Sequence, residues 1–208
     1  MVYIFDMDGT LIDSMPTFAG AIIKFLDSIG AKYPSDVIRT VTPLGIRGTV
    51  KYIKEELSVE LSENEIASAL GDGMLAGYLY TIPAKDGVRE KLKKLKDEGN
   101  TLAVLTASPH LTLDPCLKRL GLDVYFTKIW SSDDFGKSKN DPSIYLDALR
   151  LFNAKPEECI FLDDNIEAVR AAKAAGLHAY GIYDESAKDF TEEMRKVAER
   201  YITSFSEL

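Results

Sequence analysis

The chain has 208 residues, 46% of them hydrophobic and 28% charged, and a formal net charge of −8. That length holds one sizeable core, or a core with a smaller insertion, and the balance excludes a disordered tail protein. The negative charge argues against a nucleic-acid partner, which needs a basic footprint, while leaving room for a local positive pocket for a small anion.

Val2-Tyr3-Ile4-Phe5 is a short apolar run, as expected of a parallel strand buried on both faces. Asp6 and Asp8 follow it at once. From residue 15 to 80 the apolar residues fall at helical spacing instead, with Ile22, Phe25, Leu26 and Ile29 ahead of Gly30 as a helix stop. Ser62-Glu63-Asn64-Glu65 reads as a capping box opening another helix. Pro43 to Thr49 places two glycines around Arg47 and reads as a loop interrupting the helices. Residues 80–86 read as the return hinge.

Beyond Pro83, strands and helices alternate. A helix over 88–98 stops at Gly99, and 101–105 forms a strand. Ser108-Pro109 opens a helix, with Ser108 as N-cap and proline in the first turn. Residues 128–130 are a weaker strand, and Asp141-Pro142 starts a helix to about Phe152. A strand at 159–162, a helix from Ile166 to Ala175 stopped by Gly176, and a strand at 178–183 complete the pattern. Such alternation predicts an α/β fold: a doubly wound, Rossmann-like parallel sheet core (1–14 and 81–208) interrupted by a smaller all-helical cap (15–80). No apolar run reaches membrane-spanning length, and the start lacks the basic and long apolar stretches of a signal peptide. Cys116 and Cys159 have no metal-ligand spacing. The expectation is a soluble, cytoplasmic protein with reduced thiols and no membrane partner; no oligomeric partner is indicated.

In doubly wound sheets, chemistry lies beyond the carboxyl ends of the strands. Asp6, Thr106 and the Asp163-Asp164 pair all follow predicted strands, so they are expected at one sheet edge. Carboxylates gathered there need a compensating cation, and hard oxygen donors suit Mg²⁺, which also holds a substrate phosphate. A carboxylate beside that metal can attack phosphorus, and its neighbour can move protons.

The segment Phe5-Asp6-Met7-Asp8-Gly9-Thr10-Leu11-Ile12-Asp13-Ser14, followed in order by Leu105-Thr106-Ala107-Ser108, Lys139-Asn140-Asp141-Pro142 and Phe161-Leu162-Asp163-Asp164-Asn165, resembles the haloacid dehalogenase-like hydrolase superfamily, in its helical-cap phosphatase and phosphomutase branch. The resemblance implies Asp6 as nucleophile and metal ligand, and Asp8 as general acid and base whose carbonyl also meets the metal. It implies Gly9 and Thr10 in the phosphate-binding set, as the tight turn beside the phosphate and the residue that holds that loop's geometry, with Thr106 and Ala107 binding the phosphate oxygens. Lys139 would pair with Asp6 and the phosphoryl group, and Asp164, with Asp163 directly or through water, would complete the Mg²⁺ site. Asn140 stands where proline is usual, so Lys137 competes with Lys139, and the spacing to Pro142 favours Lys139. Asn165 and Ala168 stand where serine and glycine are common.

Other readings stand beside these. Thr106 could cap the next turn, and one of Asp163 and Asp164, Asp163 in preference, could N-cap the following helix. His110 reads as structural or substrate-adjacent. Arg47 is either a clamp for a substrate carboxylate or second phosphate, or an exposed turn residue, and Lys51 is a weaker candidate. The expected activity is hydrolysis of a small phosphorylated metabolite through an aspartyl-phosphate, with phosphoglycolate and sugar phosphates undistinguished. A sugar phosphomutase is the rival, disfavoured because Thr17-Phe18-Ala19 holds no histidine where such relatives carry one. A catalytically idle phospho-ligand sensor is the alternative from another class.

Overall fold

The computed structural model describes Met1–Leu208, apart from the side chain of Pro43. The chain forms two compact units, Met1–Asp13 with Pro83–Leu208, and Ser14–Ile82.

The first unit is built on strands β1 (Val2–Phe5), β2 (Thr101–Thr106), β3 (Lys128–Ser131), β4 (Cys159–Asp163), β5 (His178–Ile182) and β6 (Arg200–Ile202). All pair in parallel, in the order β3-β2-β1-β4-β5-β6. The first strand is therefore central, and the chain winds outward from it in both directions, the arrangement that opens a crevice at the strands' carboxyl ends. Register fixes what meets there. Phe5 lies opposite Val104 on one side and Leu162 on the other. The Asp6 N–H then donates to the Leu162 carbonyl at 2.9 Å, so Asp6 leaves the sheet beside Asp163.

Side chains alternate across the sheet. Val2, Ile4, Ala103, Leu105 and Phe161 join a core with Ile144, Tyr145 and Val169, from the helices Pro142–Arg150 and Ile166–Ala174. On the opposite face the Phe5 ring meets those of Phe126 and Phe205. The edge strand Arg200–Ile202 escapes sequence reading because three residues among charged neighbours carry no period.

The second unit is helical: α1 (Met15–Ser28), α2 (Val37–Val41), α3 (Gly45–Glu55) and α4 (Glu63–Ala76). Its core joins Phe18, Ile22, Phe25 and Leu26 of α1 to Val50 and Ile53 of α3 and to Ile66 and Leu70 of α4. The capping box is present: the Glu65 N–H donates to the Ser62 hydroxyl, and the Ser62 N–H donates to the Glu65 carboxylate at 2.8 Å. Gly30 takes φ +65° after α1, the left-handed conformation that ends a helix.

The loop expected at Pro43–Thr49 is helical instead. Thr42–Leu44 is a 3₁₀ turn and Gly45 opens α3, so Arg47 stands exposed in the first turn of that helix. Gly48 is there for space: a Cβ on it would sit 2.5 Å from the Leu44 Cβ. No helix among the described residues is long and apolar enough to cross a membrane.

Candidate active site

Beyond β1 the chain turns back on itself. The Gly9, Leu11 and Ile12 amides donate within the loop, to Ile12, Met7 and Met7 carbonyls respectively. Gly9 has φ +75°, and a Cβ there would lie 2.6 Å from an Asp164 carboxylate oxygen. Both facts demand glycine, the first for backbone freedom and the second for room. Thr10 locks the contact from the other side. Its hydroxyl donates to Asp164 Oδ1 at 3.0 Å and accepts from the Asp164 N–H at 3.1 Å, joining residues 154 apart in the chain. Asp164 is thus held against the Gly9–Thr10 turn by main chain and side chain together.

Asp6 is 4% exposed and Asp163 fully buried. Carboxylate oxygens of Asp6, Asp163 and Asp164 all lie within 4.8 Å of one another. Lys139 reaches into this group, donating to Asp6 Oδ1 at 2.5 Å and to Asp163 Oδ2 at 2.8 Å. Its rival Lys137 points elsewhere, to Asp147. The lysine backbone is fixed in turn by buried Tyr145, whose hydroxyl lies 2.8 Å from the Lys139 carbonyl and 3.1 Å from that of Ala168.

Three carboxylates and one ammonium in so little water leave unbalanced negative charge. Burial pushes the Asp6 carboxyl up to about 7, with Asp163 and Asp8 adding to the effect and Lys139 opposing it. Burial likewise raises Asp164 well above the usual carboxylate range, reinforced by Asp163, Asp6 and Asp184. For Lys139 burial works against the charge, but Asp163 and Asp6 outweigh it and hold the ammonium above its ordinary value. A divalent cation would relieve the cluster, and its all-oxygen donors fit Mg²⁺ rather than a softer metal. Of the clustered carboxylates, Asp6 and Asp164 would hold it; Asp163 has both oxygens engaged, Oδ2 by Lys139 and Oδ1 by the Asn165 N–H at 2.7 Å.

Asp8 is partly buried, and the Ser108 hydroxyl donates to its Oδ2 at 2.6 Å. This corrects the expected helix start. Pro109 keeps an extended backbone (φ −72°, ψ 156°) and is itself the N-cap, so the helix begins at His110 and Ser108 faces Asp8. Thr106 is buried and its hydroxyl accepts from the Ser108 N–H at 3.2 Å; Ala107 is exposed beside it. Neither Asp163 nor Asp164 caps the helix from Ile166: Asn165 does so, accepting from the Glu167 and Ala168 amides. His110 lies between Asp114 and Asp134, each 2.9 Å from a ring nitrogen.

Asp6, Asp8, Gly9, Thr10, Thr106, Ala107, Lys139, Asp163 and Asp164 therefore all lie at or just beyond the carboxyl edge of one sheet or in the loop feeding it. Arg47 belongs to the helical unit. Sequence reading missed roles for Ser108, Tyr145, Lys85 and Asp184. The strand-end rule that found Asp164 could have flagged Asp184, two residues past β5. Lys85 has no comparable signal.

Residues 1–176 match the family model of the haloacid dehalogenase-like hydrolases. The chain is 31% identical over 180 residues to a phosphorylated carbohydrates phosphatase from Thermotoga maritima, covering 86% of this chain and 83% of that protein. It is 28% identical over 185 residues to a phosphoglycolate phosphatase from Pseudomonas putida, covering 86% and 67%. Among solved structures, one from Thermotoga maritima, provisionally named a beta-phosphoglucomutase, superposes with a TM-score of 0.77 at 28% identity over 99% of this chain and 95% of that one.

Proposed function

The chain belongs to the haloacid dehalogenase-like hydrolase family, and from that premise we propose that it is a Mg²⁺-dependent phosphatase of the cytoplasm, hydrolysing a small phosphorylated metabolite through an aspartyl-phosphate on Asp6. The observation that carries the reading is the buried Asp6 carboxylate, bonded to Lys139 inside a cluster of acidic oxygens, with Asp8 two residues on.

In this reading an Asp6 oxygen attacks phosphorus as the bond to the leaving oxygen breaks, and Asp8 delivers a proton to that oxygen. Asp8, now a carboxylate accepting from Ser108, then takes a proton from water. That water attacks the aspartyl-phosphate, releasing phosphate and restoring Asp6. Lys139 counters the charge that grows on the phosphoryl oxygens, and the Thr106 hydroxyl and Ala107 N–H hold those oxygens in place. Bound by Asp6 and Asp164, Mg²⁺ would supply further positive charge to the phosphoryl group. Thr10 and Gly9 keep Asp164 and the loop in one arrangement throughout.

Named relatives that are phosphatases support water as the acceptor, as does the absence of histidine from Thr17-Phe18-Ala19 in α1. The decisive measurement is phosphate release from p-nitrophenyl phosphate with Mg²⁺, then from a panel of sugar phosphates and phosphoglycolate. Asp6→Asn is expected to lower kcat by about a thousandfold or more. Equal rates in the two proteins would overturn the nucleophile assignment. An isomerised sugar phosphate in place of free phosphate would identify a mutase, and inertness toward every phosphoester a sensor.

A further inference from the structure

Lys85 is a side chain for which neither the phosphatase chemistry nor the family motifs have a use. It lies in the segment that re-enters the sheet unit, and that segment runs against the exit of the catalytic loop. The Asp13 N–H donates to the Pro83 carbonyl at 3.0 Å, Ala84 bridges Ile12 in antiparallel fashion, and the Lys85 N–H donates to the Leu11 carbonyl at 3.0 Å. From this fixed base the ammonium reaches three acceptors: the Gly9 carbonyl, the Tyr183 carbonyl at 3.2 Å and Asp184 Oδ2 at 2.7 Å. An ammonium has three donors, and all three are matched. The side chains of Lys85 and Asp184 are 17% and 5% exposed. Asp184 is itself held through its other oxygen by the Ser186 N–H at 2.9 Å and hydroxyl at 2.5 Å.

We propose that Lys85, anchored by Asp184, is a positioning residue that holds the Gly9 carbonyl and thereby sets the arrangement of Asp8 and Thr10. The Gly9 peptide is gripped on three sides. Its N–H donates to the Ile12 carbonyl at 3.0 Å, its Cα faces the Asp164 carboxylate with no room for another atom, and its carbonyl is taken by Lys85. Glycine at φ +75° has the widest backbone freedom of any residue, so a loop that depends on it needs an external clamp. Turning the Gly9–Thr10 peptide would carry the Thr10 hydroxyl away from Asp164 and swing the Asp8 side chain relative to Asp6. A lysine whose only task was to neutralise Asp184 would have no need to bond the Gly9 carbonyl, in the loop beyond β1.

The effect on rate rests on the phosphatase reading; the effect on the loop does not. The test uses Lys85→Met, Asp184→Leu and the double variant, with three readouts. These are kcat and KM for p-nitrophenyl phosphate at saturating Mg²⁺, the melting midpoint, and amide hydrogen exchange over residues 6–14 in protein free of metal and substrate. Lys85→Met is expected to lower kcat about tenfold, to leave KM within about twofold, and to speed exchange in that segment. It also leaves Asp184 buried without its cation, so the midpoint falls. The double variant replaces a buried ion pair with an apolar one and is expected to regain stability without regaining kcat or protection, since Gly9 still lacks its donor. Recovery of kcat together with the midpoint would overturn the proposal and leave a purely structural ion pair. Unchanged exchange over 6–14 in all three variants would overturn it as well. If the wild-type protein releases no phosphate, the phosphatase reading fails, and the exchange data alone decide whether Lys85 clamps the loop.

Discussion

In the sheet unit, three aspartates and a lysine are drawn under cover at the ends of β1 and β4, each bonded to at least one other member of the site or its loop. In the helical unit, Arg47, Lys51 and Glu55 stand in water along α3, and the nearest ion pair, Lys51 with Glu55, is 3.9 Å long with both partners more than half exposed. The same residue types thus serve two physical purposes. Buried and cross-bonded, charge is strong and its direction is fixed, which suits bond making. Exposed on a helix, it is weak, mobile and replaceable at little cost to stability, which suits variation in what is recognised.

Variants in each unit test this division of roles. The largest effect is expected at Lys139→Met, which removes the cation between Asp6 and Asp163: kcat should fall by about a hundredfold or more, measured at saturating substrate. A loss confined to KM would show that the lysine merely binds. Arg47→Ala sharpens the other side. If Arg47 clamps a second anionic group of the substrate, kcat/KM on the best substrate in the panel falls about tenfold, while activity on p-nitrophenyl phosphate, which offers no such group, stays unchanged. An untouched specificity constant would dispose of the clamp. The smallest effect is expected at Ser62→Ala, which removes the cap of α4: about 1 kcal/mol of stability lost by denaturant unfolding, with kcat preserved. The Ser62 hydroxyl and N–H hold the Glu65 carboxyl below the usual range. The contribution of that pairing is therefore present above the ordinary glutamate pKa and disappears as pH falls through the lower folded value. If Ser62→Ala impaired catalysis as much as stability, the division between the two units would be wrong.

The strand-end rule and four short motifs made the sheet, its parallel sense and the cluster of Asp6, Thr106, Lys139 and Asp164 legible. Each motif is local, and three of the four, at Asp6, Thr106 and Asp163, sit where a buried strand stops. What escaped depends on partners distant in the chain. Lys85 meets Gly9 across 76 residues and Asp184 across 99, and no spacing announces either pairing. Ser108 before Pro109 has the pattern of an N-cap and a first-turn proline, but the carboxylate of Asp8, 100 residues earlier, claims its hydroxyl instead. Arg47 was assigned to a loop because two glycines flank it. One of them opens α3 and the other makes room for Leu44, and neither breaks the helix.

The central position of β1 sets a timetable for the growing chain. β1 finds its neighbours only when β2 and then β4 have been made, and Thr10 must wait for Asp164. Until then the apolar strand that leads to Asp6 and Asp8 has open edges, the state in which a strand is most prone to pair wrongly. A nascent chain that stops short of Asp164 lacks the second wall of the crevice. The carboxylate cluster of Asp6, Asp163 and Asp164 therefore assembles late, only once both strands that carry it have been made.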